Sequence, residues 1–124
     1  MHIAELNGGF QWGVLLVTDA NSSEQIPDWS SRSQRVTTAR SALVVRVMPD
    51  IEGDVAIHVV NSEDDVEGTR VYSGRLTVPS RILRVQDALG EKSTAVTLDK
   101  DDIGIEIYLD EPEWATSVDL LLRE

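Results

Sequence analysis

The 124-residue sequence predicts one domain, residues 1–124, folded as an antiparallel β-sandwich of about seven to nine strands with little helix. Apolar and polar residues alternate with a period near two along most of the chain. Short β-branched and aromatic runs recur between turn-forming segments, as they do in all-β domains. Because that many half-buried strands need two packed sheets, the class that follows is a sandwich.

The N-terminal elements are a tight turn, a strand and a long loop. Asn7-Gly8-Gly9 predicts a turn between the first two strands. The next strand, residues 10–18, begins as an alternation that places Trp12 on the buried face. Residues 19–33 predict an irregular loop. Residues 31–42 show weak helical character before an apolar strand begins.

The central elements are strands with one bend. Residues 54–60 alternate cleanly and put His58 on the solvent face. Residues 71–78 change face near Gly74, which predicts a bulge or bend at that glycine. Residues 85–89 have weak helical character.

The last elements are the clearest. Residues 103–109 give the best alternation in the chain, and residues 117–122 form the final strand. Trp114, which follows a proline, is expected to pack against that strand.

Net charge is concentrated in the last two-thirds of the chain. Residues 1–48 carry four acids and four arginines, whereas residues 49–124 carry eighteen acids and seven bases, which accounts for the whole net charge of −11. Residues 50–67 hold seven acids and no base, and residues 99–113 hold seven acids and one lysine. Such clustering can steer a basic partner, bind cations or keep the protein in solution.

Reactive residues are too few to predict an enzyme. The chain has two histidines and no cysteine, and neither His2 nor His58 lies near a nucleophile motif. No phosphate-binding glycine loop is present, so no cofactor is expected. The acidity argues against direct binding of nucleic acid, and no apolar run reaches the ~18–20 residues of a membrane span. The lack of cysteine and of a signal-like N-terminus indicates the cytoplasm.

Clustered carboxylates leave a calcium site as an alternative. Asp99, Asp101 and Asp102 supply the oxygen ligands that calcium prefers. The spacing departs from a helix-loop-helix calcium loop, because a ligand position is occupied by Ile103 and the segment that follows alternates as a strand. We interpret these acids as solvated loop carboxylates that keep the sheet ends soluble.

Trp29 lies among polar residues of the irregular loop, where an exposed tryptophan is costly. As a functional residue it is an interface anchor, since tryptophans dominate binding hot spots. As a structural residue it folds back to plug an open end of the sandwich. Both interpretations stay open.

The order of elements resembles a known family. A strand ending at Asp19 is followed by a loop with Ile26-Pro-Asp-Trp29 and then by apolar strands at residues 42–47, 54–60 and 74–78. This order is similar to the competence protein J family, small bacterial proteins that inhibit a DNA-entry nuclease, over roughly residues 10–110. The resemblance implies a non-catalytic inhibitor.

Charge and resemblance together predict an acidic protein-binding module, an inhibitor or immunity-type protein that occludes a basic target such as a nuclease or toxin. The alternatives are a calcium- or ligand-binding sandwich and a structural, self-assembling subunit; the oligomeric state is left open. The predicted partner-binding residues are Trp29, Glu63, Asp64, Asp65, Glu67, Asp101, Asp102, Asp110 and Glu111.

Overall fold

Two five-stranded β-sheets make up the protein in a computed structural model, which is described here for residues 2–22, 29, 34–111 and 113–124. Helical structure in these ranges is confined to three-residue 3₁₀ turns at Gln11–Gly13, Asp50–Glu52 and Glu63–Asp65, and none of it is long enough to cross a membrane. The strands in the same ranges are β1 (His2–Gly8), β2 (Val14–Asp19), β3 (Val36–Thr38), β4 (Ala42–Arg46), β5 (Val55–Val60), β6 (Thr69–Thr77), β7 (Ile82–Asp87), β8 (Ser93–Thr97), β9 (Asp102–Leu109) and β10 (Ser117–Arg123).

Strand order is β1-β5-β10-β9-β6 in the first sheet and β3-β4-β2-β7-β8 in the second. The predicted sandwich is confirmed, with ten strands in the described residues, one above the predicted range. Every neighbouring pair is antiparallel except β5 and β10, which run parallel with Ile57 opposite Val118. Because β10 and β9 separate β5 from β6, the chain between β5 and β6 has to cross two strands of its own sheet.

The core lies between the sheets and is built from the alternating residues that the sequence predicted. Val55, Ile57 and Val59 of β5 are fully buried, while His58 between them faces away from the core. The inward residues of β9 and β10 join the same apolar cluster as those of β2, β4 and β7. Each fully buried aliphatic side chain of this kind contributes about 1.5–3 kcal/mol relative to leaving it in water.

The two segments with weak helical character are strands. The described part of residues 31–42, from residue 34 onward, contains β3, and residues 85–89 begin inside β7. Val36 pairs with Val45 and Val85 pairs with Val17. A helix this short is not stable by itself, whereas pairing on a sheet satisfies the same backbone groups and buries the β-branched side chains. The helical prediction is therefore wrong.

The bend in β6 is displaced from the predicted glycine. The register with β9 shifts between Arg70 and Tyr72, whereas Gly74 stays paired opposite Ile105. A Cβ atom on Gly74 would collide with the ring of Tyr72. The glycine therefore provides space for an aromatic side chain, and the bulge lies at its N-terminal side.

Asp19 at the end of β2 holds two loops together. Its carboxylate accepts the backbone N–H of Asn21 at 2.7 Å and that of Ser80, in the turn between β6 and β7, at 2.8 Å. The residue is only 2% exposed. Burial by itself raises the pKa of this carboxyl, but the hydrogen bonds from Ser80 and Asn21 outweigh it and the pKa is lowered.

We expect Asp19→Ala to lower the free energy of unfolding by about 1–3 kcal/mol, since two backbone donors lose their acceptor. A carboxyl with a lowered folded pKa stabilises the protein above its unfolded pKa of about 4 and loses that contribution as pH falls through the folded value. Urea unfolding at pH 7 and pH 3 should therefore show the gap between wild type and variant shrinking at low pH. An equal gap at both pH values would contradict this role.

Candidate functional site

The first acidic stretch, residues 50–67, is divided between two regions. Its first three acids lie in and just after the turn between β4 and β5. The other four lie in residues 61–68, which connect β5 to β6 and which we call the crossover loop. The cluster in the sequence is therefore not one cluster in space.

The crossover loop runs over the outer face of the first sheet. The backbone N–H of Glu67 donates to Asp119 Oδ2 of β10 at 2.8 Å, and the Glu63 carboxylate pairs with the Arg123 guanidinium. Part of the outer face of this sheet is shielded from water. Two fully buried apolar residues of this sheet lie outside the inter-sheet core: Val60 and Leu121.

Next to the crossover loop, the buried Glu106 of β9 is the centre of an ion network whose two arginines are exposed. Its carboxylate accepts from Arg123 Nε at 2.6 Å, from the Tyr108 hydroxyl at 2.8 Å and from Arg70 at 3.5 Å. The bonds from Arg123 and Tyr108 lower the pKa of Glu106, and acceptance by Glu106 raises the pKa of Tyr108. The Glu106 carboxylate accepts from three donors of the fold, so we interpret the network as a structural feature of the sheet.

His58 lies in the same outer face, as predicted, but it is paired. Its Nδ1 is 3.2 Å from Asp119 Oδ1 and its Nε2 is 3.3 Å from Glu5 Oε1. The aspartate side chain is almost fully buried. Two carboxylates thus flank the imidazole, and in the described ranges its hydrogen-bond partners include no hydroxyl that could act as a nucleophile.

The predicted acids of the crossover loop differ in exposure. Glu63 is bound to Arg123, and Asp65 is half-buried. Asp64 and Glu67 are exposed, and within the described ranges they bond to the fold through their backbone N–H groups. These two carboxylates are the part of the loop most accessible to a partner.

The second acidic stretch is divided by β9. Asp101 and Asp102 lie at its start, Asp110 and Glu111 just past its end, and eight strand residues span about 26 Å. Asp102 Oδ1 accepts from the guanidinium of Arg75 at 3.2 Å. The four acids therefore lie at opposite ends of the sandwich.

Asp110 fixes the connection between β9 and β10. It accepts the backbone N–H groups of Thr116 at 2.9 Å and Ser117 at 3.0 Å, and also the Thr116 hydroxyl. Burial raises the pKa of Asp110, but these hydrogen bonds outweigh it and the pKa is lowered. Its carboxylate is already committed to the fold, and Glu111 beside it is exposed.

The calcium alternative finds no ligand set in the described residues, which contain no group of three or more acidic or histidine side chains placed to hold a metal ion. Asp99, Asp101 and Asp102 lie in and next to the exposed turn between β8 and β9. The backbone N–H groups of Asp99 and Lys100 donate to the Glu124 carboxylate at 2.6 and 3.1 Å.

All three tryptophans of the chain line one groove at one end of the sandwich. Trp12, Trp29 and Trp114 surround a cavity of about 240 Å³ together with Glu113, and Ile51 extends the same surface through Trp12. Trp12 is 73% exposed, Trp114 is 47% exposed and Ile51 is 86% exposed. We call the surface formed by Trp12, Trp29, Pro49, Ile51 and Trp114 the aromatic end.

Three loops are bound to one another to build the aromatic end. The Val47 N–H donates to the Gly13 carbonyl at 2.9 Å, and the Asp50 N–H donates to the Phe10 carbonyl at 3.0 Å. The Met48 N–H donates to the Ala115 carbonyl at 3.0 Å. The loops that follow β1, β4 and β9 are therefore held as one rigid platform.

Trp29 lies beside this platform and contacts the side chain of Arg46, the last residue of β4. The Arg46 guanidinium carbon lies 4.3 Å from the centroid of the Trp29 ring, within the range of a cation–π contact. The ring is half-buried. The ring lines the groove of the aromatic end, and its role as an anchor for a partner stays a prediction. The preceding Ile26-Pro-Asp segment and most of the irregular loop lie outside the described residues.

The prediction that Trp12 is a core residue is wrong. Phe10 occupies the core, and residues 11–13 then form a 3₁₀ turn in which Trp12 has φ 58° and ψ 14°. Gly13, at φ 66°, follows it in the left-handed region, and a Cβ there would collide with the Val47 carbonyl. Two successive left-handed residues turn the Trp12 ring to solvent. Trp114, expected to pack against the last strand, is 47% exposed, and that packing stays a prediction.

A sequence signal for the aromatic end was present. Trp12 precedes Gly13, and Trp29 and Trp114 each follow a proline by two residues. Tryptophans next to turn-forming residues lie in loops, and loops of a sandwich gather at its ends. Strand periodicity, which assigned Trp12 to the core, hid this pattern.

The fold of this chain is similar to that of a solved structure, ComJ, inhibitor of the DNA degrading activity of NucA, from Bacillus subtilis. The match has a TM-score of 0.77 and covers 98% of this chain and 96% of ComJ, at 12% sequence identity. The resemblance to the competence protein J family is thus confirmed in structure, and at this identity it establishes the fold. No protein-family model matches the sequence, and no curated protein matches it significantly.

We expect Trp12→Asn to leave the free energy of unfolding within about 1 kcal/mol of wild type. Asparagine tolerates the left-handed conformation, so the substitution removes about 1–2 kcal/mol of backbone strain. This gain offsets the loss of the few packing contacts that the exposed tryptophan ring makes. The matched variant Phe10→Ala, two residues away and fully buried, should lose about 3–5 kcal/mol. Chemical denaturation of both variants checks this contrast, and equal losses would mean that the Trp12 ring supports the fold.

Proposed function

We propose that this chain is a protein-binding inhibitor that occludes a basic enzyme, with a nuclease as the target, and that it performs no chemistry itself. The observation that carries the proposal is the charge of the surface. In the described residues fifteen acids but only seven bases are exposed. An excess of this size favours a partner of opposite charge.

The mechanism is steric and electrostatic occlusion. Enzymes that bind nucleic acid present basic clefts to the phosphate backbone. Carboxylates opposite such a cleft speed the encounter and occupy the space that the nucleic acid requires. The inhibitor needs no cofactor for this. We place it in the cytoplasm, where disulfides are rare, because its sequence contains no cysteine and its fold uses no disulfide.

The fold supports the choice of target. ComJ is an inhibitor of the DNA degrading activity of NucA, and this chain shares its fold over nearly the full length of both. Because one fold can host many functions, the similarity to ComJ suggests a nuclease as the target, but the proposal itself rests on the surface charge.

Contact residues follow from exposure. On the crossover loop, Asp64 and Glu67 are the accessible carboxylates, with Glu63 and Asp65 beside them. Trp29 and Glu111 lie at the same end of the sandwich as the other two tryptophans, and Asp101 and Asp102 lie at the opposite end. Asp110 lies beside Glu111, but its carboxylate is bonded within the fold, so we assign it no contact.

The experiment is affinity capture of partners from the source organism's lysate on the immobilised chain, with elution by increasing salt and identification by mass spectrometry. The eluted protein is then assayed for DNA degradation with and without added inhibitor. A basic protein whose nuclease activity falls on adding the chain supports the proposal. No retained protein, or a retained protein without nuclease activity, overturns it, and a rise in melting temperature with millimolar calcium would favour the metal-binding alternative.

Reversal of charge on the crossover loop should slow association. We expect Asp64→Lys with Asp65→Lys to lower the association rate constant for the captured nuclease at least about tenfold at low salt. The control, Glu91→Lys with Asp99→Lys, makes the same change in net charge, from −11 to −7, outside the proposed contact residues.

Stopped-flow or surface-binding kinetics measure both rates, after circular dichroism has shown that the variants are folded. Because Asp65 is half-buried, Asp64→Lys with Glu67→Lys serves as a second pair of fully exposed positions. Equal slowing in the control would assign the effect to net charge and remove the crossover loop from the contact.

A further inference from the structure

We infer that the aromatic end is the central contact surface for the partner and that it receives arginine or lysine side chains of a basic protein. The inference rests on the proposed function, since it assigns the site and the chemistry of that binding. The centre of the contact is then the aromatic end, and the crossover loop lies outside that centre.

Trp12 adopts a left-handed backbone conformation in the turn before β2. A bulky residue in the left-handed region is a backbone outlier that costs free energy, and the ring gains little burial in return. Such strain is found at binding sites, where a second molecule supplies the compensation. A loop of ordinary function would place asparagine or glycine before Gly13.

Exposed apolar area is concentrated here. Trp12, Ile51 and Trp114 are three of the six large hydrophobic residues that the described ranges expose, and all three belong to the aromatic end. Tryptophans are enriched among the residues that dominate binding energy. The backbone bonds among the three loops hold these rings in place before a partner arrives, which lowers the entropic cost of binding.

The surrounding charge selects a cationic partner. The three loops, residues 9–13, 47–54 and 110–116, contain six carboxylates and no lysine or arginine. Asp50 and Glu113 line the aromatic end directly. Two cations from outside these loops reach them: Arg46 lines the groove and is already paired with the Trp29 ring, and Lys92 Nζ donates to the Gly9 carbonyl. Trp12 and Trp114 lie beside carboxylates, and such rings match a surface that presents basic side chains.

The fold contains an example of the proposed contact. Arg46 already lies over the Trp29 ring at 4.3 Å. Trp12 is mostly exposed and Trp114 is about half exposed, and both lie beside carboxylates, so each can accept a guanidinium or ammonium in the same way. The groove of about 240 Å³ is smaller than the roughly 300–1,000 Å³ of small-molecule pockets, which favours single side chains of a protein.

The test uses two probes and uncharged substitutions. The probes are the nuclease recovered by affinity capture and a nona-arginine peptide. The variants are Trp12→Asn with Trp114→Asn, and separately Ile51→Asn, which changes an 86% exposed side chain and should leave the fold intact. The matched control is Leu89→Asn, a 56% exposed apolar residue in the turn between β7 and β8. No variant alters the net charge.

We expect the double variant to weaken binding of both probes at least about tenfold, Ile51→Asn to weaken binding of the nuclease, and Leu89→Asn to bind as wild type. If the nuclease binds all variants alike, the inference is wrong and the proposed function stands. If no nuclease is retained but the double variant binds the peptide more weakly than wild type, the nuclease proposal fails and the cation-binding surface stands. If the double variant binds both probes as tightly as wild type, the inferred surface is wrong.

Discussion

The parallel pairing of β5 with β10 is the constraint on which the rest of the structure depends. It inserts β10 and β9 between β5 and β6, so the chain has to cross the sheet to reach its next strand. The crossover loop does so over the outer face, where Val60 and Leu121 are fully buried outside the inter-sheet core. A face that would otherwise be solvated becomes a second, smaller interior, and the polar residues in it have to be paired. Glu106 and Asp119 are buried for this reason, each with its hydrogen bonds satisfied.

The acidity of the chain therefore has two roles. Among the residues that the structure describes, four aspartates accept backbone N–H groups and so fix the loops between strands: Asp19, Asp87, Asp110 and Asp119. A carboxylate is well suited to this because it offers several acceptor positions and bonds more strongly than a neutral group. The remaining exposed acids give the surface its field. Net charge alone overstates the functional part, since the loop-fixing carboxylates cannot contact a partner without releasing the fold.

Sequence reasoning was accurate where one physical signal dominated. Alternation in residues 54–60 and 103–109 follows directly from the two faces of a strand, so those elements and their buried residues were predictable. Long-range effects were not. The local sequence carries no information on the pairing of β5 with β10. For this reason the acidic stretches were interpreted as continuous clusters, although the fold divides them. The error at Trp12 has a different cause: periodicity assigned it to a strand, while Gly13 after it signalled the turn that exposes it.

Charge and aromatic contact govern different stages of the proposed complex. Carboxylates act at distances up to the Debye length of about 8–10 Å and so raise the rate at which a basic partner arrives. Tryptophan rings act only on contact, after water has been expelled, and so lower the rate at which the partner leaves. The two functions need different surfaces, because a ring surrounded by mobile charges would keep its water. The crossover loop exposes Asp64 and Glu67 to solvent, whereas the aromatic end holds its rings on a rigid platform with carboxylates only at the border. An inhibitor built this way captures its target quickly through its charge and slows the release of the target through its rings.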